Sequence, residues 1–414
     1  MKIVPSLKSR LKLFLLLHHI SALFSGKLTV MRLIRSLKKQ LIVSSLFRDA
    51  KYSQVGSKIF IDPFAPYFPS SYCRKLFNNN CEESSPPKPN FAQISITNHC
   101  PCRCVHCHVV NSGDADLPKE VILETIRQIA AADFPLLFFV GGEPMLRFDD
   151  LLEFVALAHE QMDTRIFTSG VGASRERLKA LRAAGLEGIC VSLDHSVEAV
   201  HNDKRCHPAA FTSACDTIVE AVALGFYVSV VCCTTSDMIR TGEVYTVVDL
   251  AESLGAHSIQ LNEIRPVGRA VESSGYDFFF TAEDKAALIR FYREANRSAR
   301  SIAIVMPWYN EEPDKFGCTA ASAQQAYIDA KGNVQPCPLL KVGLGNITSQ
   351  NFTAIWDNFR SHCGPPVRDC LVHRLADEIN SSKELPLPAE RSYKLWPHVR
   401  RMETTDLFKR MKDI

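Results

Sequence analysis

Residues 100–107 read Cys-Pro-Cys-Arg-Cys-Val-His-Cys and follow an apolar, strand-like run, Ile94-Ser95-Ile96-Thr97. Within this cysteine loop, Cys100, Cys104 and Cys107 stand at C-x3-C-x2-C spacing and supply three thiolates. Iron–sulfur clusters normally take four cysteines, so three would leave one iron without a protein ligand and open to chemistry. A zinc loop is the alternative, but zinc sites favour two C-x2-C pairs, and no partner pair follows within the next hundred residues.

A second motif follows about thirty-five residues later. The chain reads Leu137-Phe138-Phe139-Val140 and then Gly141-Gly142-Glu143-Pro144, an apolar strand that ends in a Gly-Gly-Glu-Pro turn. The glycines let backbone carbonyls approach the ammonium group of a ligand, and Pro144 stiffens the exit from the strand. In this order, the cysteine loop and the turn resemble those of the radical S-adenosylmethionine (radical SAM) enzymes.

This resemblance implies a [4Fe–4S] cluster on Cys100, Cys104 and Cys107 that binds S-adenosylmethionine at its open iron. One electron then cleaves the sulfonium and yields a 5′-deoxyadenosyl radical, which abstracts a hydrogen atom from substrate. No further catalytic side chain is assigned. Polar groups at the strand ends suit the methionine and ribose of the cosubstrate, although each could instead cap a helix or turn. The predicted cosubstrate-binding residues are Gly141, Gly142, Glu143, Pro144, Thr168, Ser169, Ser192 and Asp194.

From residue 92 to about 298, strand-like and helical patterns alternate. The predicted strands are Gln93–Thr97, Leu136–Val140, Arg165–Thr168, Gly188–Leu193, Tyr227–Cys233 and Ser258–Asn262. Strict alternation predicts an α/β fold with a parallel sheet, here a partial (β/α)6 barrel of the triosephosphate-isomerase (TIM) type. The active site of such a fold lies at the carboxyl ends of the strands, where both motifs stand.

A second set of cysteines lies in the last hundred residues. Cys318 and Cys337 flank a predicted hairpin over residues 328–334 whose turn holds Gly332, and Cys363 and Cys370 follow. The C-x13-G-x4-C pattern is similar to the SPASM or shorter "twitch" extensions of radical SAM enzymes, which carry auxiliary iron–sulfur clusters. With four cysteines, one auxiliary [4Fe–4S] site is the economical prediction; a structural use of these cysteines without iron is the alternative.

The remaining cysteines and nearby charges are interpreted as follows. The chain has fifteen cysteines in 414 residues, and their clustering indicates ligation in a reducing cytosol rather than a disulfide scaffold. Cys102 lies out of register in the cysteine loop and is predicted not to bind iron. At the end of the sixth strand, Arg265 is a candidate to grip a carboxylate or phosphate, whereas Arg269 could equally be a solvated surface charge.

The amino-terminal region is strongly basic. Residues 1–58 hold twelve Lys or Arg and a single acid, Asp49, so they carry +11 and the remainder of this +3 chain carries −8. Between Met31 and Phe47, apolar residues recur every three or four positions with basic residues between them, which predicts a basic amphipathic helix. Such a helix binds anionic membrane surfaces or docks on its own domain. The apolar run near Leu13–Leu17 is too short to span a bilayer.

Five segments are therefore predicted. They are a basic helical arm (1–58), a lead-in and linker (59–91), the radical SAM partial barrel (92–298), a SPASM/twitch-like auxiliary domain (299–375) and a carboxyl-terminal tail (376–414). Within the second segment, Asn78–Asn90 reads as a polar linker. The predicted location is cytoplasmic, with the arm offering peripheral contact at the inner membrane surface.

The resemblance implies an enzyme but leaves the substrate open. Because many enzymes with this pair of domains modify ribosomally made peptides or proteins, peptide or protein maturation is the leading prediction. Modification of a membrane lipid or another surface-bound metabolite is the alternative that the basic arm suggests. A third alternative, from a functional class other than enzymes, is a non-catalytic iron–sulfur electron carrier or scaffold. The implied partners are S-adenosylmethionine and an electron donor such as flavodoxin or ferredoxin, and no nucleic acid is expected.

Overall fold

The computed structural model describes residues 48–81, 88–109, 115–273, 276–382 and 384–412, together with Lys38. Most of the predicted basic arm, including its amphipathic helix, lies outside the described residues, so its docking and membrane contact stay predictions. Among the described residues, no helix is long and apolar enough to cross a membrane.

One ten-stranded sheet organises the chain. Its strand order is β12-β11-β10-β3-β4-β5-β6-β7-β8-β9, and a separate two-stranded hairpin, β1-β2, precedes it. The strands are β1 Ser53–Val55, β2 Lys58–Phe60, β3 Phe91–Ser95, β4 Leu136–Val140, β5 Asp163–Thr168, β6 Gly188–Ser192, β7 Tyr227–Thr234, β8 Ser258–Glu263, β9 Ala303–Val305, β10 Gln325–Ile328, β11 Asn333–Gln335 and β12 Gly345–Asn346.

The six predicted barrel strands are present as β3 to β8 and pair in parallel in chain order. β4, β6 and β7 are largely apolar runs buried on both faces, which is the pattern of a parallel sheet covered by helices. β9 extends the sheet in parallel beyond β8. In the described part of the chain, the edge strands β12 and β9 do not pair, so the α/β sheet is open rather than a closed barrel.

Helices follow the strands and cover the sheet. Their apolar faces carry the core; in α2, for example, Ile122, Ile126 and Ile129 are fully or almost fully buried. The helices are α1 Ser71–Cys81, α2 Lys119–Ala131, α3 Phe148–His159, α4 Arg175–Ala183, α5 Glu198–Arg205, α6 Ala210–Ala223, α7 Ser236–Thr241, α8 Glu243–Ser253, α9 Arg269–Glu272, α10 Ala282–Arg297, α11 Pro307–Asn310, α12 Phe352–His362, α13 Leu371–Arg374, α14 Ala376–Asn380, α15 Ala389–Val399 and α16 Asp406–Lys412.

The amino-terminal hairpin covers the amino ends of the strands. Phe60 of β2 stacks on Tyr227, the first residue of β7, with ring centroids 4.2 Å apart. Arg165, fully buried near the start of β5, donates to the Ala65 carbonyl at 2.5 Å and pairs with Asp163 at 3.1 Å. This packing covers the amino ends of β5 and β7.

The carboxyl-terminal region joins the same sheet. The predicted hairpin is confirmed: β10 and β11 pair antiparallel, and Gly332 in the turn has φ +86°. β10 also pairs in parallel with β3, the strand that leads into the cysteine loop. The sheet thus continues across the predicted boundary between residues 298 and 299 and holds the second set of cysteines beside the first.

Helices occur in two segments that were predicted as linker and tail. α1 extends to Cys81 and takes up the first residues of the segment predicted as a linker, while residues 82–87 lie outside the described chain. The predicted tail contains folded helices, and the fully buried Trp396 of α15 packs edge-on against Phe359 of α12 at 5.0 Å. The tail is therefore part of the core around the second cysteine set.

Candidate active site

The Gly-Gly-Glu-Pro turn is bound directly to the chain that enters the cysteine loop. Gly142 N–H donates to the Thr97 carbonyl at 2.7 Å, and Glu143 N–H donates to the His99 carbonyl at 2.8 Å. A Cβ on Gly142 would lie 2.1 Å from His99 O, and one on Gly141 would lie 2.5 Å from Thr97 O. The two glycines are thus required by close backbone packing of one motif on the other, a role additional to the predicted approach of a ligand.

Glu143 ties the end of β4 to the end of β5. Its fully buried carboxylate accepts hydrogen bonds from Thr168 Oγ1 (2.7 Å), Ser169 N (2.7 Å), Ser169 Oγ (2.6 Å) and Met145 N (3.1 Å). Burial raises the pKa of the Glu143 carboxyl, and these hydrogen bonds oppose the increase. Its carboxylate is saturated by the protein itself, so Glu143 fixes the shape of the site.

Cys100, Cys104 and Cys107 all line one cavity of about 1290 Å³. Cys102 lies between Cys100 and Cys104, and its thiol is in hydrogen-bonding contact with both. This contact lowers the pKa of Cys104 to about 6, against the effect of burial, and the Arg205 guanidinium lowers it further. It also lowers the pKa of Cys100, whereas burial raises that of Cys107.

The cavity also collects most of the predicted cosubstrate residues. The lining includes, at the ends of β4, β5 and β6, Gly141, Gly142, Glu143, Thr168, Ser169 and Ser192. Cys337, of the second cysteine set, lines the same cavity. Pockets for one drug-sized ligand measure roughly 300 to 1,000 Å³. This cavity is large enough for a cosubstrate together with part of a second molecule, and both cysteine sets border it.

Pro144 and Asp194 are not among the lining residues. Pro144 is buried at the start of a short 3₁₀ turn, where it shapes the exit from β4. The fully buried Asp194 carboxylate lies 2.6 Å from Arg205 Nε and accepts from the Cys233 N–H at 2.9 Å. Burial opposes its ionisation, but the Arg205 charge holds the pKa of Asp194 well below its usual range. Asp194 is thus neutralised by an internal partner.

Three of the four carboxyl-terminal cysteines are neighbours. The Cys318 and Cys370 thiols are in hydrogen-bonding contact, which lowers the pKa of Cys370 to about 5 against the effect of burial. Arg265 lowers it further. Cys337 is close enough to Cys370 for their charges to interact, and burial raises the pKa of its thiol to about 12. These three residues form the core of the candidate auxiliary site.

The fourth cysteine of that set has different neighbours. Cys363 follows the last residue of α12, and its buried thiol lies beside the Trp396 indole, with Arg360 and Arg400 as the nearby charges. Burial raises the pKa of the Cys363 thiol to about 12. The surroundings of Cys363 are thus those of a packed core thiol, and its predicted iron ligation stays a prediction.

Arg265 is already engaged by the protein. Its guanidinium pairs with Glu263 (Nη1 to Oε2, 2.9 Å) and with Glu311 (Nη2 to Oε2, 3.2 Å), and Nη1 lies 2.7 Å from His373 Nε2. Burial raises the pKa of Glu311 to about 8, so Glu263 is the carboxylate that pairs with Arg265 at pH 7. Because Arg265 already has this partner, its predicted grip on a substrate carboxylate or phosphate stays a prediction. Arg265 links the end of β8 to the auxiliary cysteines.

Sequence reasoning missed the residues that clamp the cysteine loop from the other side. Arg269 donates through Nε to the Cys104 carbonyl and through its backbone N–H to the Cys107 carbonyl, at 2.9 and 3.0 Å. A Cβ on Gly268 would lie 2.4 Å from Cys107 O. Arg269 is thus a structural residue of the loop rather than a solvated charge. The only sequence signal was a glycine followed by a cation at the end of the sixth β-α unit.

The residues present fit a [4Fe–4S] cluster in the cysteine loop. Three thiols border one cavity, two of them with lowered pKa values that favour the thiolate form that binds iron. The carbonyls of Thr97, His99, Cys104 and Cys107 are held by the hydrogen bonds described above, so contacts within the protein define the shape of the loop.

Comparison with known proteins gives two family matches. Residues 94–252 match the Radical SAM superfamily, and residues 318–373 match the SPASM iron–sulfur cluster-binding domain. The first match spans the cysteine loop, the Gly-Gly-Glu-Pro turn and strands β4 to β7. The second spans the four carboxyl-terminal cysteines and ends at His373.

The curated relatives are distant in sequence, but the alignments cover most of each relative's length. The AdoMet-dependent heme synthase of Methanosarcina barkeri is 26% identical over 294 residues, covering 65% of this chain and 82% of its own. The PqqA peptide cyclase of Streptomyces rochei is 27% identical over 291 residues, covering 65% of this chain and 75% of the cyclase. Among solved structures, Streptococcus suis SuiB bound to its precursor peptide SuiA matches with a TM-score of 0.53 at 14% identity, over 69% and 67% of the two chains. At that identity the structural match establishes the fold alone.

Proposed function

The chain belongs to the radical SAM superfamily and carries a SPASM domain, and from this premise we propose that it matures a peptide or protein substrate by hydrogen-atom abstraction. The enzyme class is given by the two family matches. The substrate class is the proposed part. Relatives named as PqqA peptide cyclases and the similar fold of SuiB, solved with a precursor peptide, support a peptide.

The observation that carries the proposal is the polarity of the cavity wall. Nine carboxamide side chains line it, mixed with a larger apolar surface. A carboxamide both donates and accepts hydrogen bonds, as a peptide group does, and is uncharged. Some of these carboxamides, such as Asn79 and Gln260, already donate hydrogen bonds within the protein. Others, such as Asn262 and Asn310, are partly exposed and are available to pair with the backbone of a peptide. The carboxamide residues are Asn79, Asn90, Gln93, Asn98, Gln260, Asn262, Asn310, Gln324 and Gln325.

In this proposal, Cys100, Cys104 and Cys107 hold the [4Fe–4S] cluster, and the Gly-Gly-Glu-Pro turn with Ser192 shapes the place of S-adenosylmethionine. When bound, the cluster supplies the electron that releases the 5′-deoxyadenosyl radical. The chain's own tasks are to orient a substrate C–H bond and to exclude water and stray hydrogen donors. Apolar walls around the carboxamides, such as Phe167 and Trp308, serve the second task.

Cys318, Cys337 and Cys370 hold an auxiliary cluster in the same proposal. Because Cys337 lines the cavity, a cluster held by these cysteines would border the cavity and would supply an electron acceptor for a substrate radical. An external donor of the flavodoxin or ferredoxin type would reduce the catalytic cluster. Cys363 packs against Trp396, so in this proposal the other three thiols would hold the auxiliary cluster.

The test uses the full chain, reconstituted anaerobically with iron and sulfide and supplied with dithionite and S-adenosylmethionine. The probe is a library of random ten-residue peptides made from deuterated amino acids, and mass spectrometry measures deuterium in the 5′-deoxyadenosine formed. We expect deuterium transfer that the Cys100→Ala/Cys104→Ala/Cys107→Ala variant lacks. Cosubstrate cleavage without any deuterium transfer from peptides would refute the peptide substrate and leave the enzyme class intact.

A heme-like tetrapyrrole is the second candidate substrate. The similarity to AdoMet-dependent heme synthases and the large apolar share of the cavity wall favour it. Cosubstrate cleavage that a tetrapyrrole stimulates and the peptide library does not would select this candidate. The membrane lipid substrate rests on the basic arm alone, most of which lies outside the described residues. Sedimentation of the full chain with anionic vesicles, reversed by salt, would support it.

A further inference from the structure

A buried arginine stands against the catalytic cysteine loop. Arg205 is the last residue of α5 and is 7% exposed. Its Nε lies 2.6 Å from Asp194 Oδ2, which forms a buried ion pair at the end of β6. Burying an arginine removes it from water at a large cost in free energy, which an ion pair offsets only with good geometry and further hydrogen bonds. The remaining contacts of this guanidinium therefore decide its role.

The second contact is to a predicted iron ligand. Arg205 Nη1 donates to Cys104 Sγ at 3.6 Å, so the guanidinium bridges a carboxylate and a cysteine sulfur. The Asp194 pair alone would account for a purely structural arginine. The contact with Cys104 places a fixed positive charge at the sulfur itself, whereas Arg269 binds the Cys104 carbonyl.

The backbone holds this distance. Arg103 N–H donates to the Arg205 carbonyl and Val105 N–H donates to the Lys204 carbonyl, both at 3.0 Å. The residues on either side of Cys104 are thus hydrogen-bonded to the end of α5. The spacing between the guanidinium and the sulfur is consequently fixed by two backbone contacts and one ion pair, rather than by a flexible side chain alone.

Other charged and titratable groups near Arg205 do not cancel its effect on the sulfur. His106 Nε2 lies 3.7 Å from Asp194 Oδ2, and burial lowers the pKa of His106 to about 4, which leaves it neutral at pH 7. Burial likewise lowers the pKa of His201 to about 4. Lys204, also buried, directs Nζ to Met238 Sδ at 3.2 Å. Asp194 is the one buried anion that pairs with Arg205 in the described chain, and the guanidinium lies between it and Cys104.

We propose that Arg205 is a positioning residue that raises the reduction potential of the catalytic cluster through its contact with Cys104. The inference rests on the proposed function only in requiring a cluster on Cys100, Cys104 and Cys107. Reduction adds one electron to the cluster, and a hydrogen-bonded cation at a ligating sulfur stabilises the added negative charge. A neutral side chain at position 205 should therefore lower the reduction potential of the cluster.

The test is a redox titration of the reconstituted full chain without S-adenosylmethionine. Electron paramagnetic resonance measures the fraction of reduced cluster at each potential. At the potential that half-reduces the wild-type catalytic cluster, Arg205→Gln should lower the ratio of reduced to oxidised cluster about tenfold, which is 59 mV for one electron. Asp194→Asn should shift the ratio the opposite way, because it removes a negative charge. Arg103→Gln is the matched control: Arg103 is next to Cys104 in sequence but exposed, so water screens its charge and no shift is expected.

Arg205→Gln with a full complement of iron and an unchanged potential would overturn the inference. If Arg205→Gln fails to bind iron, Arg205→Lys and the double variant Arg205→Gln/Asp194→Asn replace it. The lysine variant should keep most of the wild-type ratio, and the double variant should lower it, because the lost cation is the group nearer the sulfur. A wild-type potential in the double variant would count against Arg205. An iron-free wild-type cysteine loop would instead refute the proposed function.

Discussion

The two cysteine sites border the same cavity but are built in opposite ways. The catalytic cysteines fall within eight residues of one loop, which the Gly-Gly-Glu-Pro turn and the end of α5 hold from two sides. The auxiliary cysteines are spread from Cys318 to Cys370 over a hairpin, a helix and a loop, and three of the four have one another as neighbours. Spacing along the chain therefore defines the first site, and the path of the fold defines the second.

Both sites share one electrostatic device that spacing does not reveal. In each, a neighbouring cysteine and then a buried arginine lower the pKa of one thiol: Arg205 for Cys104, and Arg265 for Cys370. Each arginine comes from the end of a barrel strand or the helix after it, far from its cysteine in sequence. The ligands of a local site can thus be predicted from sequence while its charged surroundings cannot.

The largest expected effect tests the local site. Replacing Cys100, Cys104 and Cys107 together with alanine should remove about four irons and reduce formation of 5′-deoxyadenosine to background. Iron and sulfide analysis and chromatography of the products measure both. The auxiliary cluster should remain, because its cysteines belong to a separate part of the chain. Retained cleavage of S-adenosylmethionine would contradict the assignment of the loop.

The next effect tests the site that the fold assembles. Cys370→Ala should remove the auxiliary iron, again about four atoms, because it takes away one of three neighbouring thiols. Cleavage of S-adenosylmethionine without substrate should persist, since the catalytic loop is untouched. Cys206→Ala, at an exposed cysteine, is the control and should keep all iron. Full iron content in the Cys370 variant would mean that these cysteines serve the core rather than a cluster.

The fold was largely predictable where one physical signal dominated. Strand-like runs, of which Leu136–Val140 is fully apolar, predicted the six parallel strands β3 to β8. Gly332 predicted the turn of the hairpin. The helix Glu198–Arg205 was missed because its polar sequence, His-Asn-Asp-Lys-Arg, looks like a surface loop, although Lys204 and Arg205 are buried. Cys363 was grouped with the other cysteines because a sequence does not show that α12 directs it toward Trp396.

A smaller effect separates Cys363 from its neighbours in sequence. Cys363→Ala should leave the iron content of both sites unchanged and lower the free energy of unfolding by about 1 kcal/mol, because a buried sulfur that packs on Trp396 is lost. Urea unfolding and iron analysis measure the two quantities. Loss of about four irons would show instead that Cys363 completes a four-cysteine site and that the cluster draws it away from Trp396.

The smallest effect concerns Cys102, which lies between two predicted ligands without sharing their spacing. Cys102→Ala should change neither the iron content nor cosubstrate cleavage, and a loss of iron would mean that the loop binds its cluster in another register.

In the iron-free protein, the same substitution should change the reactivity of Cys104. Contact with Cys102 is the largest cause that lowers the pKa of Cys104 to about 6, so at pH 7 Cys104 is mostly thiolate. Without that contact its pKa should rise toward the usual value of about 8.5, where only a few per cent is thiolate at pH 7. Alkylation of Cys104 by iodoacetamide, followed by mass spectrometry, should therefore slow in the variant at pH 7 and become similar to wild type above pH 9.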